Sequence, residues 1–135
     1  MKKATLHSDG GARGNPGPAG VGYVLRVQDS ETVWHGEYIG ETTNNQAEYR
    51  ALLAGMERAR EVGVKSLECF LDSELIVKQM QGGYRVKNHG LKPLFAQAEE
   101  LAGKFDEISY KHVPRAKNKE ADKLVNTAID KHVDT

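Results

Sequence analysis

The period of the hydrophobic pattern first changes near residue 43, and that change limits the folds open to this chain. Before it, the pattern has period two. Residues 4–9 alternate as a strand, and "VGYVLRV" at 21–27 sets Val21, Tyr23, Leu25 and Val27 on one face. "TVWHGEYIG" at 32–40 is rich in β-branched and aromatic residues, which favour strands. Only the polar turn "QDSE" separates these last two runs, so they are expected to be antiparallel neighbours. After residue 43 the spacing becomes helical. Ala47, Ala51, Gly55, Ala59 and Val62 recur on one stripe, Thr43 with Gln46 forms a capping-box signature, and Gly63 is the expected stop. "SLECFL" at 66–71 reads as a strand, 73–81 as a short helix ended by Gly82 and Gly83, and 91–104 as a helix after Pro93. Residues 107–113 alternate as a strand. A last helix follows, with Asn118 as its cap and Ala121, Leu124, Val125, Ala128 and Ile129 on one stripe. The order βββαβααβα is that of an α/β chain, a meander followed by βαβ units, and implies one mixed sheet covered by helices.

A length of 135 residues suits one domain over 1–135, and 39% hydrophobic with 28% charged residues suits a packed core with a polar surface. No apolar run approaches the ~20 residues needed to span a bilayer, and "MKKATLHSD" lacks an apolar targeting segment. No membrane association is expected. The single cysteine, Cys69, excludes an internal disulfide and fits a reducing compartment, so a cytoplasmic location is expected. Lys plus Arg equals Asp plus Glu, 19 each. Dedicated nucleic-acid binders are usually basic, so this balance argues mildly against such a partner. Acids gathered in a metal site would, however, be neutralised by the bound cations.

Four acids stand in unusual places. Asp9 ends the first strand and precedes the glycine-rich "GGARGNPGPAG". Glu48 lies beside Ala47, with Ala51, Leu52 and Gly55 at helical offsets, and so borders the sheet-facing stripe. Asp72 follows the strand "SLECFL", and Asp122 sits in the first turns of the last helix, beside Ala121. Each alone has an ordinary explanation: Asp72 and Asp122 favour helix N-termini, and Glu48 could lie on the surface. Together they match acids that converge where open α/β sheets bind ligands. Carboxylates packed that closely repel and need cations, and hard oxygen donors suit Mg²⁺ or Mn²⁺.

The stretches "SDGGARGNPGPAGVGYVL", "TTNNQAEYRALLAG", "LDSELIVKQM" and "HVPRAKNKEADKLVNTA" resemble, in order and context, type 1 ribonuclease H. The resemblance covers nearly the whole chain. It implies a mixed five-stranded sheet with helices on both sides, and cleavage of the RNA strand of RNA–DNA hybrids with two Mg²⁺ or Mn²⁺ ions, leaving 5′-phosphate and 3′-hydroxyl ends. It maps the catalytic, metal-holding carboxylates onto Asp9, Glu48, Asp72 and Asp122. Gly10 and Gly11 would let the scissile phosphate approach the backbone. Asn15, Asn44 and Asn45 resemble the family's groove readers, since asparagine both donates and accepts at base edges and 2′-hydroxyls. Thr43 resembles the residue that holds a DNA phosphate beside a helix N-terminus. His112 matches a mobile-loop histidine that assists proton transfer or product departure. Arg115 stands where some members use an arginine instead, and is expected to be secondary.

One departure matters. Many members carry a long basic insertion rich in Lys and Trp, whereas "MQGGYRVKNHGLKPLF" is short, with Arg85, Lys87 and Lys92 and no tryptophan. That trio reads equally as a solvated loop or a DNA contact. The expected substrate is an RNA–DNA hybrid, handled by a monomer with no protein partner implied. Alternatives are a nuclease that also cuts duplex RNA, a catalytically silent hybrid-binding module, and a Mg²⁺-dependent hydrolase of small phosphate esters.

Overall fold

In the computed structural model, which describes residues 1–133, the order is β1 (Lys3–Ala12), β2 (Gly17–Val27), β3 (Val33–Thr42), α1 (Asn44–Glu61), β4 (Ser66–Leu71), α2 (Glu74–Met80), α3 (Lys92–Ala102), β5 (Glu107–His112) and α4 (Lys119–Val133). A single 3₁₀ turn at Arg115–Lys117, not anticipated from the sequence, leads into α4. The five strands form one sheet in the order β3-β2-β1-β4-β5. β1 pairs antiparallel with β2, and β2 with β3, while β4 runs parallel to β1 and to β5. This is the mixed sheet that the pattern implied, with the five strands that the resemblance implied.

Helices cover both faces. A Cβ built on Gly10 would stand 2.1 Å from the Ala47 carbonyl oxygen of α1, and one on Gly22 would stand 2.6 Å from the Ala121 oxygen of α4. Both glycines are therefore places where a helix backbone lies directly on a strand. Double coverage explains why β2 is buried almost continuously, including Gly22 and Val24, and not only at its alternating apolar positions. The core lies between the sheet and α1, with Leu6, Leu25, Tyr49, Leu52, Met56, Leu67 and Leu71 fully or almost fully buried.

The caps follow the sequence in part. Thr43 Oγ1 accepts from the Gln46 N–H at 3.2 Å, and Ser73 Oγ accepts from Ile76 N–H at 3.3 Å. Gln46 does not complete the box; its side chain contacts Thr42 Oγ1 instead. Gly63 ends α1 region with φ of 84°. Among the described residues no helix is long and apolar enough to cross a membrane.

Candidate active site

The sequence placed Asp9 at the end of the first strand, but β1 runs on to Ala12. The extra residues are held by β2, through Gly10↔Val21, Gly11↔Gly20 and Ala12↔Ala19. On the other edge, pairing with β4 stops at His7↔Phe70. Asp9 thus stands just beyond the point where its parallel neighbour has ended. Extending that register by two residues sets Asp9 level with Asp72, which follows the last residue of β4. Two acids meet at the carboxyl ends of adjacent parallel strands, where α/β sheets present ligand sites.

The close approach of α1 over Gly10 brings the third acid down. The Gly10 N–H donates to Glu48 Oε1 at 3.0 Å, and Glu48 is only 4% exposed, deeper than a residue bordering its stripe would be. One oxygen from each of Asp9, Glu48 and Asp72 lies within 4.8 Å of the others. Asp122 enters from the opposite face of the sheet on α4, with its N–H donating to the Asn118 carbonyl at 3.1 Å. All four acids line one cleft of about 520 Å³, together with Gly10, Gly11 and Asn44.

Such crowding has an electrostatic consequence. Burial pushes Asp9 up to about 7, with the neighbouring Asp72 and Asp122 adding to the rise and a hydrogen bond from Glu48 opposing it. Burial, then the hydrogen bond and charge of Asp9, hold Glu48 well above the carboxylate range. Asp72 is also raised, mainly by burial, against the opposing hydrogen bond of Asn118 and the charge of Arg115. Without a cation the cluster retains protons to limit its own repulsion. Glu48 Oε2 is buried with no hydrogen-bond partner. An unpaired buried oxygen within an all-carboxylate set suits a hard divalent cation, so these residues fit the metal that the resemblance implies.

The remaining expected residues divide by location. Asn44 faces the acids' cleft, where its Oδ1 accepts from the Ala12 N–H at 3.2 Å. Asn15, Thr43 and Asn45 line a separate pocket of about 160 Å³ with Gln46, Asn88 and Leu91. The two are joined, since Asn15 Oδ1 accepts from the Asn44 N–H at 2.9 Å. Arg115 lines the acids' cleft and its Nη2 lies 3.4 Å from Asp122 Oδ1. His112, the exposed last residue of β5, is not among the residues lining it. Asn118 is the expected backbone cap of α4, but its side chain turns inward to the Ser8 carbonyl at 2.8 Å instead of capping.

Three polar residues of these pockets escaped the sequence reading. Asn126 lies one helical turn beyond Asp122, and the i,i+4 rule would have placed it on the same face. Arg13, in the β1–β2 hairpin, reaches the cleft by pairing with Asp130 at 2.7 Å, a long-range contact with no local signal. Asn88 lies in an aperiodic loop and gave none either.

A family model described as reverse transcriptase-like matches residues 7–128. A bifunctional protein of Mycobacterium tuberculosis is 46% identical over 130 residues, covering 95% of this chain and 36% of its own. Ribonuclease HI of Halobacterium salinarum is 46% identical over 123 residues, covering 90% of this chain and 62% of its own. The chain thus spans about a third of the mycobacterial relative and less than two thirds of the archaeal one. Among solved structures, LC11-RNase H1 in complex with an RNA/DNA hybrid superposes with a TM-score of 0.90 at 45% identity, covering 96% of this chain and 99% of that one.

Proposed function

The chain belongs to the type 1 ribonuclease H family, and from that premise we propose that residues 1–135 act as one catalytic domain that hydrolyses the RNA strand of RNA–DNA hybrids. The observation that carries this reading is the cluster of Asp9, Glu48 and Asp72 at the floor of a cleft walled by Asn44 and by Asp122. All of it comes from a single chain, so a monomer suffices.

Asp9, Glu48, Asp72 and Asp122 would hold two divalent ions, Mg²⁺ or Mn²⁺. When bound, these would supply activation of water and stabilisation of the leaving 3′-oxygen, giving 5′-phosphate and 3′-hydroxyl ends. The protein's own contribution is positioning. Strand ends and two helix backbones fix the carboxylates, so little reorganisation is needed when charge develops. Asn44, beside the acids, and Asn15 and Asn45, in the adjoining pocket, would read 2′-hydroxyls and base edges over more than one nucleotide. Thr43, at the N-terminus of α1, would hold a phosphate of the DNA strand. Arg115, 79% exposed on its side chain and close to Asp122, is free to swing toward a phosphate. The single, fully buried Cys69 supports a reducing compartment such as the cytoplasm.

A labelled hybrid, an RNA duplex and a small phosphomonoester, each incubated with Mg²⁺, with Mn²⁺ and with excess chelator, test this reading. Metal-dependent cleavage confined to the RNA strand of the hybrid is expected. An intact hybrid in both metals would overturn it.

A further inference from the structure

We propose that Asn118 is a positioning residue that ties together the segments carrying Asp9, Asp72 and Asp122. The inference deepens the nuclease reading and rests on it only for its kinetic readout.

Asn118 is 1% exposed, although Lys117 and Lys119 on either side are exposed. Its Nδ2 donates at 2.8 Å to the carbonyl of Ser8, the residue before Asp9. Its own carbonyl accepts from the N–H of Asp122 at 3.1 Å. Its side-chain amide also stands close enough to Asp72 to favour the charged carboxylate. One residue therefore bonds the backbone beside the first acid and the helix start that carries the third, and stands beside the carboxylate of the second.

The arrangement is not the one that best serves α4 alone. An asparagine at a helix start ordinarily turns its side chain out to accept a backbone N–H. Here it turns inward, and its Oδ1 is left buried without a partner, as is Ser8 Oγ. Leaving a buried acceptor unpaired is unfavourable, and an apolar side chain would fill a purely structural site with less penalty. What the inward amide provides is a donor at the junction of three acid-bearing segments. Partners of this kind, which orient ligating carboxylates, typically alter metal affinity or activity 10- to 100-fold when removed.

The test uses the full chain with Asn118→Ala, and with Asn118→Val, an apolar side chain of similar size that also lacks the donor, should the alanine variant not fold. Leu101→Ala on α3, buried and not among the residues lining the acids' cleft, serves as a destabilised control. Mn²⁺ affinity is measured by calorimetry without substrate, and kcat and KM on a hybrid. For Asn118→Ala, Mn²⁺ affinity should fall about tenfold or more and kcat about 10- to 100-fold, with KM within about twofold. Leu101→Ala should lose thermal stability but keep both values. A folded Asn118 variant with wild-type Mn²⁺ affinity and kcat overturns the proposal, as does a wild-type protein that binds no Mn²⁺. If wild type fails to cut hybrid while the variant still loses Mn²⁺ affinity, the nuclease reading fails and the positioning role stands.

Discussion

Replacing Asp9 with asparagine should stabilise the metal-free protein, by an amount that grows with pH. Burial lifts the Asp9 carboxyl from its ordinary 3.8 to about 7. A carboxyl raised in this way keeps its proton in the folded state after the unfolded chain has lost it. The stability it confers is therefore fully present below about 3.8, declines as pH rises, and is gone above about 7. At 1.36 kcal/mol per pH unit the loss reaches about 4 kcal/mol at pH 8, of which about 1–2 kcal/mol is already gone at pH 5. Asparagine has nearly the same shape and no charge at any pH, so Asp9→Asn escapes this loss. For a chain of this length, with an unfolding entropy of about 2.1 cal/mol/K per residue, the gain at pH 8 corresponds to a Tm increase on the order of 10 °C. His7 titrates with the opposite sign, because burial lowers its value and its contribution is lost as pH falls. It is common to both proteins and cancels in their difference. The assay is thermal unfolding of wild type and Asp9→Asn in chelator at pH 5, 6, 7 and 8. A Tm difference that stays constant with pH, or a wild type more stable than the variant at pH 8, would refute the reasoning. Added Mg²⁺ or Mn²⁺ should narrow the gap by stabilising wild type alone.

Turnover on hybrid should vanish in excess chelator and fall to near background in Asp9→Asn and Asp72→Asn, with the fold retained by circular dichroism; robust cleavage by either variant would remove the metal mechanism. Gly10→Ala should lose about 1–3 kcal/mol or more in denaturant unfolding, because its Cβ would strike the backbone of α1. Gly11→Ala should fold like wild type, since its Cβ would lie 3.7 Å from its nearest neighbour; any activity it loses then reports the space a phosphate needs. A single ribonucleotide embedded in DNA should be cut poorly compared with a continuous hybrid, because the asparagines span two pockets. His112→Ala should lower kcat with little change in KM, the outcome expected of a side chain that assists proton transfer or product departure; if Arg115→Ala alone is crippled in single-turnover rates, the arginine beside Asp122 holds that role.

Most of the architecture was legible because local signals agreed with the tertiary fold. The change of period near Thr43 located the end of the meander, and the element order followed from the remaining runs. What failed was the length of β1 and β2. The stretch where they meet contains glycines, Pro16 and Pro18, which read as a turn, yet residues 10–12 pair with residues 19–21 across the hairpin. Strand propensity is weak there because the glycines answer to the helices above and below them, a tertiary demand that no local window records.

The site was legible to a different degree at each acid. Asp72 follows a clear apolar strand, so its place beside a parallel neighbour could be inferred from the pattern. Glu48 was harder, because its stripe placed it at the border of the buried face. Its full burial depends on α1 descending onto Gly10, where the Gly10 N–H meets Glu48 Oε1. Asp122 is the instructive case. Its helix packs on the opposite face of the sheet from α1, and no spacing within α4 shows that its first turn reaches around to Asp9. That convergence rests on contacts with sequence separations above a hundred residues, such as Asn118 Nδ2 to the Ser8 carbonyl. The repulsion that burial imposes on these acids works against the fold, so contacts of this kind must hold the cluster together until cations neutralise it. A sequence can show that several acids are misplaced by the ordinary rules of burial; the bonds that make the misplacement sustainable are visible only once the chain is folded.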